Sequence, residues 1–358
     1  MFKARVGLFS LAVIAVATLA PAATAQSGAG WTFAVSGDSR NCGDFVMPAI
    51  AAKTKANKDS FYWHLGDFRW MSNVDEDIQA MLPQGQELSI DEYHQRAWDD
   101  FLARQIKAFG DQPVFLGRGN HEAVAPMTRE GYVQEFKPLL ERPEILAQRQ
   151  KDGDAGAPLG PWYHWVEKGV DFITLDNSTR EEFSDAQLRW LRGVLDRDLK
   201  AGSGVTTIVM GAHEALPHST GSDHAMDDWT LGQHTGELVY TWFYDAMAAG
   251  KKVYLIASHS HYYSPEIYNT PFWKQHSKKV VPGVIVGTSG AHRYALPKKA
   301  AKGAKAKVYG YLRGTVQADG SIDWEFVELT EKDLLDAKWP EAPEAAIHQC
   351  FVGNADED

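Results

Sequence analysis

Cysteine is nearly absent: Cys42 and Cys350 are the only two in 358 residues. This excludes a disulfide-dense scaffold, and two thiols so far apart do not make a zinc ribbon. In an oxidising compartment they could join the start of the fold to its tail, and the sequence leaves open whether they meet. Basic residues are also scarce, 36 against 47 acidic, for a net charge of −11. A nucleic-acid groove is therefore excluded as the main surface, and an anionic substrate needs positive charge supplied locally. Glycine at every third position, internal repeats and, beyond residue 25, apolar runs long enough to span a membrane are all missing. Aromatics are plentiful, with 12 Trp, 13 Tyr and 16 Phe in a chain that is 44% hydrophobic and 23% charged. That composition builds a large globular core rather than a disordered chain.

The first 25 residues read as an export leader. Lys3 and Arg5 precede an apolar run from Val6 to Ala20, and Ala23-Thr24-Ala25 offers small residues for cleavage. Removing this segment, with its two basic and no acidic residues, takes the charge to −13 and leaves a periplasmic or secreted protein without a membrane span. Residues 26–345 read as one domain and 346–358 as a C-terminal tail, frayed at Asp356-Glu357-Asp358.

Five short apolar runs end in small residues followed by polar ones. Trp31–Val35 leads to Gly37-Asp38, Phe61–Leu65 to Gly66-Asp67, and Pro113–Leu116 to Gly119-Asn120-His121-Glu122. Thr206–Met210 leads to Gly211-Ala212-His213, and Val253–Ala257 to Ser258-His259-Ser260-His261. Each run reads as a buried strand, and helical patterns lie between them, most clearly over Ser184–Lys200. There Ser184 and Gln187 have capping-box spacing, and Leu188, Leu191, Leu195 and Leu199 form a stripe. Alternating strands and helices imply parallel pairing, with ligands at the shared carboxyl edge. That edge gathers Asp38, Asp67, Asn120, His213, His259 and His261. Late in the chain, Val280–Val286, Tyr309–Val316 and Ile322–Val327 lack helices between them and predict an antiparallel section. The stretch containing Lys298, Lys299, Lys302, Lys305 and Lys307 reads as a solvated loop.

Taken singly, a Gly-Asp after a strand is a turn or a helix cap, and a lone His is a surface or core residue. The ordered set is more specific. Carboxylates, an amide oxygen and imidazoles suit Zn, Mn or Fe rather than Ca. Two carboxylates, three histidines and Asn120 exceed one tetrahedral site but suit two metals sharing a bridge, for which Asp67 is the natural candidate.

From Gly37-Asp38 to His259-Ser260-His261, the series resembles the calcineurin-like metallophosphoesterase superfamily, over about residues 31 to 292. Phe183–Leu191 is similar to the segment before that family's fourth motif. The resemblance implies an α/β fold, a sandwich of two mixed β-sheets flanked by helices, whose dinuclear centre hydrolyses phosphoric esters with a metal-activated water. It implies Asp38 and His261 at the first metal, Asn120, His213 and His259 at the second, and Asp67 as the bridge. His121 would stabilise the phosphoryl group or protonate the leaving oxygen, a role suited to an imidazole. Glu122 is placed to orient His121 or a ligand imidazole, or else to be exposed.

One motif departs from that family. Where it reads Asp-x-His, this chain has Asp38-Ser39-Arg40, and a guanidinium has only donors. Purple acid phosphatases, in the same superfamily, also lack this His but supply a Tyr three residues after the bridging Asp; here that residue is Trp70. The first site is thus expected to be weak, to recruit water, or to be empty. Arg40 would clamp phosphate oxygens or form a salt bridge, Arg69 faces the same choice, and His292 and Arg293 would line the substrate side. The expected function is exported, metal-dependent hydrolysis of a small phosphoester. The alternative is a phosphoester-binding protein that has kept this fold without turnover. Substrate choice would lie in segments 69–94, 123–165, 214–236 and 262–279.

Overall fold

Alternation along three short strands builds the centre of the molecule. In β1 (Trp31–Ser36), β2 (Tyr62–His64) and β3 (Val114–Leu116), successive side chains point to opposite faces. Phe33, Trp63 and Phe115 project one way. They meet Trp165 of β4 (Tyr163–Glu167) and Phe172 of β5 (Val170–Thr174), with Phe115 stacked on Trp165 at 3.8 Å between centroids. Phe61, just before β2, packs edge-on against both Trp165 and Phe172. On the other face Tyr62 stacks on Phe109 and bonds Ser36. Each aromatic side chain buries about 150–250 Å², so this seam is what presses two sheets together.

The structure is a computed structural model that describes residue 1 and residues 30–179, 182–221, 224–276 and 279–356. The expected leader lies, apart from Met1, outside the described residues. Among them, no helix is long and apolar enough to cross a membrane.

The remaining strands are β6 (Thr207–Ala212), β7 (Lys252–Ala257), β8 (Tyr263–Pro265), β9 (Gly283–Val286), β10 (Gly310–Val316) and β11 (Ile322–Glu328). One sheet has the order β11-β10-β1-β2-β3 and the other β4-β5-β6-β7-β9-β8. In the first, β1, β2 and β3 are parallel; in the second, β5, β6, β7 and β9 are. Antiparallel strands finish the edges, so both sheets are mixed. The expected late antiparallel section is therefore divided: β9 extends the second sheet in parallel, while the β10–β11 hairpin completes the first.

Helices flank the sandwich. Among them are α1 (Gly43–Ala56), α2 (Glu76–Ala80), α3 (Ile90–Asp100), α4 (Arg129–Glu135), α5 (Lys137–Leu140), α6 (Pro143–Asp152) and α7 (Asp185–Asp198). They are followed by α8 (Thr230–Ala248), α9 (Pro271–His276), α10 (Glu331–Ala337) and α11 (Glu344–Gly353). At the start of α7, Ser184 accepts from the Gln187 N–H, but the Gln187 side chain turns to the backbone of Asp176, so the expected capping box is half formed. The segment read as a tail is different in the structure. Helix α11 runs across residue 346, Cys350 is joined to Cys42, and Asn354 and Asp356 bond the loop after β9. The loop containing Lys298 and Lys302 is at the surface, and Lys305 pairs there with Glu328.

Candidate metal centre

The carboxyl ends of β1, β2, β3, β6 and β7 meet at one edge, as parallel sheets require. Asp38, Asp67 and His259 each sit just past a strand with φ near +60°. Such left-handed non-glycine residues cost on the order of 1 kcal/mol or more, so the loops must be held from outside. They hold one another. The Asp38 N–H donates to the Gly66 carbonyl, the Ser39 N–H to the Asp67 carbonyl, and the His259 N–H to Asp38 Oδ2 at 2.8 Å. Gly66 lies against Gly119 so tightly that a Cβ would fall 2.3 Å from the Gly119 nitrogen. Larger residues would part the second and third loops.

Glu122 is not exposed, and among the described residues its carboxylate is hydrogen-bonded to backbone rather than to an imidazole. It is fully buried and accepts the N–H groups of Asp67, Phe68 and Gly119, each at 2.8 Å, tying those two loops together. Burial and the charge of Asp67 push its carboxyl up to about 7.

Asp38, Asp67, His213 and His259 bring one donor atom each to within 4.8 Å of one another. His213 is the hub. Its Nε2 lies 2.9 Å from Asn120 Oδ1, 3.0 Å from His259 Nδ1 and 3.3 Å from Asp67 Oδ1. Its Nδ1 contacts the Leu65 carbonyl at 3.1 Å, which takes the N–H, so that in the neutral ring the Nε2 lone pair would face the cluster. A cation bonded at about 2.1 Å holds its ligands about 3.0–3.4 Å apart, so this donor set fits one. Electrostatics agree. Burial works against an imidazolium, yet Asp67 and Asp38 push His213 up to about 10. Burial and the charge of His213 hold His259 well below the usual imidazole range. Two buried carboxylates thus favour positive charge at this point, which a metal ion would supply.

His261 stands on the other side of Asp38, its Nε2 3.2 Å from Asp38 Oδ1. Its Nδ1 donates to the His292 carbonyl at 2.6 Å. Arg40 lies against both His261, with Nη2 3.3 Å from Nε2, and Asp67, with Nε 3.7 Å from Oδ2. His121 donates from Nδ1 to the Trp70 carbonyl and turns Nε2 toward Asp67 Oδ2, 3.7 Å away.

Three residues expected on the substrate side are placed elsewhere. Arg69 is fully buried beneath the site, bonded to Asp44 at 2.8 Å and paired with Asp75 and Asp77. Three carboxylates claim its guanidinium, and none of it is left for a phosphate. The His292 ring turns to Asn354 and Asp356, and only its carbonyl serves the site. Arg293 is buried among the carbonyls of Lys307, Phe351 and Asn354.

Three residues not singled out from the sequence complete the surroundings. Tyr294 stacks on His261 at 4.1 Å, and the His224 ring lies 5.2 Å from those of His259 and Tyr294. Asn177 exchanges two hydrogen bonds with the Glu214 backbone, fixing the chain beside His213. Its signal was present, since β5 also ends in polar residues. His224 and Tyr294 lie in loops without such a pattern.

A family model described as calcineurin-like phosphoesterase matches residues 34–263. Among solved structures, the purple acid phosphatase PPD1 from yellow lupin (Lupinus luteus) seeds is similar at 15% identity and a TM-score of 0.54. The match covers 88% of this chain and 57% of that one, so this chain spans little more than half of its relative. PhoD is similar at 13% identity and a TM-score of 0.52, over 92% of this chain and 78% of that one. These likenesses show a shared fold of two mixed sheets flanked by helices. No curated protein matched the sequence.

Proposed function

The chain belongs to the calcineurin-like phosphoesterase family, and from that membership we propose that it is an exported hydrolase of small phosphoric esters that depends on a bound metal. The observation that carries the reading is the convergence of Asn120 Oδ1, His259 Nδ1 and Asp67 Oδ1 on His213 Nε2 within 2.9–3.3 Å. Asp67, Asn120, His213 and His259 would hold the metal, with Fe, Mn and Zn the ions suited to these donors. Such an ion supplies Lewis acidity toward a phosphoryl oxygen and lowers the pKa of water. Asp38 braces the His259 backbone, and Glu122 keeps the loops of Asp67 and Asn120 in register. His121, with Nδ1 committed to Trp70, offers only Nε2 to a ligand; protonated there, it gives its proton to the departing oxygen. Arg40 contributes fixed positive charge beside the place of reaction. Export is supported by the leader pattern of residues 1–25 and by the Cys42–Cys350 disulfide, a bond of oxidising compartments.

The test is metal analysis of the purified chain together with hydrolysis of p-nitrophenyl phosphate and bis-p-nitrophenyl phosphate, before and after chelation. Metal-dependent release of nitrophenol from either ester supports the reading. A metal-loaded protein that binds phosphate but turns over neither these nor a wider panel of esters would favour the binding-protein alternative.

A further inference from the structure

Among the described residues, Asp38 Oδ1, Asp67 Oδ2 and Arg40 Nε are buried at this centre with no hydrogen-bond partner. They belong to one small group. Asp38 Oδ1 is 3.2 Å from His261 Nε2, and that nitrogen carries a lone pair because Nδ1 donates to the His292 carbonyl. A carboxylate oxygen and a nitrogen lone pair this close repel unless something positive lies beside them. Arg40 supplies that charge on the His261 side, while Asp38 Oδ1 itself keeps no hydrogen-bond partner among the described residues. The Arg40 Nη2 is 3.3 Å from the same Nε2 and its Nε is 3.7 Å from Asp67 Oδ2. An arginine can only donate and keeps its charge at any working pH. Trp70 lies across the guanidinium at 5.9 Å, and Tyr294 covers the His261 ring.

Asp38, Asp67 and His261 are the donors that the family resemblance assigns to a first metal. The 3.2 Å spacing of Asp38 Oδ1 and His261 Nε2 would by itself suit an ion, but the Arg40 guanidinium already lies against that nitrogen and beside Asp67, and with it there the set does not fit a metal. The lone pair and the carboxylate that would face an ion already face the guanidinium, and an ion would stand against a fixed positive charge. Resting on the function proposed above, we infer that the Arg40 guanidinium takes the place of the second cation, so that this chain binds a single metal, at Asp67, Asn120, His213 and His259. One of the two positive charges at the site is then covalently part of the protein. It is independent of metal supply and cannot be removed by a chelator.

Metal content per chain decides the matter, measured by elemental analysis after gel filtration from buffer containing Mn, with the electron paramagnetic resonance spectrum recorded on the same sample. The expected result is one equivalent and the spectrum of an isolated Mn ion. Asn120→Ala should lose it, whereas His261→Ala should keep it. Arg40→His, which removes the charge and adds a donor, should bind a second equivalent and show the spectrum of a coupled pair. Two equivalents in the unaltered protein would overturn this inference and leave the proposed function standing; none would overturn both. Loss of the single metal in a folded His261→Ala variant, or one equivalent in a folded Arg40→His variant, would also overturn it. If Arg40→His does not fold, the unaltered chain and His261→Ala still decide.

Discussion

His121 is anchored twice. Its backbone N–H donates to Asp67 Oδ1 at 3.0 Å and its Nδ1 to the Trp70 carbonyl, so the ring has one free nitrogen and a fixed direction. A residue so placed affects the reaction more than the loading of the centre. His121→Ala is expected to lower kcat by about 10²- to 10⁴-fold while metal content stays unchanged. A variant that lost its metal and regained activity when metal was resupplied would make His121 a ligand. Asp67 is subject to stronger constraint. Against burial, His213, His121 and Arg40 hold its carboxyl well below the usual range, which favours the carboxylate in the folded chain.

Arg69 and His164 each hold elements together rather than serve the site. Arg69 follows β2 and pairs with Asp44 of α1, Asp75 at the start of α2 and Asp77 within it, all with side chains out of solvent. Removing one partner of a buried charge cluster typically costs about 3–5 kcal/mol. Arg69→Met should lower the urea midpoint accordingly, with little effect on phosphate binding by the protein that remains folded. Normal stability with lost phosphate affinity would return Arg69 to the substrate side. His164 of β4 is clamped between Asp171 of β5 at 2.8 Å and Asp152 of α6 at 2.5 Å. Arg197 and Asp198 of α7 adjoin these carboxylates, and Lys251 lies near Asp198. Burial opposes its charge, but Asp171 and Asp152 win and push His164 up to about 9. Burial and Asp171 likewise raise the Asp198 carboxyl to about 9. Both groups bind protons in the folded chain that the unfolded chain has released. The His164 contribution is therefore complete below about pH 6.5 and lost as pH rises through about 9. Urea unfolding in chelator should show stability falling across this window, and His164→Gln should flatten the fall. An unchanged slope in that variant would place the titrating group elsewhere.

Across the whole molecule, the disulfide joins Cys42, at the start of α1 two residues after Arg40, to Cys350 in α11, a separation of 308 residues. Closing so long a loop restricts the unfolded chain, and such bonds typically contribute about 2–4 kcal/mol. Asn354 reinforces the closure by donating to the Gly290 carbonyl and the Tyr309 hydroxyl. The Cys42→Ser/Cys350→Ser variant is expected to unfold several degrees lower yet retain its metal, because none of the donor side chains depends on the bond. Equal unfolding temperatures with and without the disulfide would show that the packing of α11 alone closes the fold.

The sequence by itself determined the five strands β1, β2, β3, β6 and β7 and the polar residues that follow them, but not β4, β5 or β8 or the order of strands in the sheets. Each of the five is written in consecutive residues: an apolar run, a glycine or serine, then Asp, Asn or His. Parallel connection then leaves little choice about where those ends meet, and Asp38, Asp67, His213 and His259 do meet. Tertiary structure decided whatever depends on neighbours distant in the chain. Long side chains are the plainest case. Arg40 and Arg69 begin near the same edge, yet one reaches His261 and the other descends to three carboxylates brought by α1 and α2. His292 shows the same dependence, since the C-terminal segment that captures its ring lies more than fifty residues away. Tyr294 and His224 enter the site from loops with no periodic signal. The pairing of Cys42 with Cys350 required the two Cα atoms to come within 6.0 Å, a distance set by packing alone.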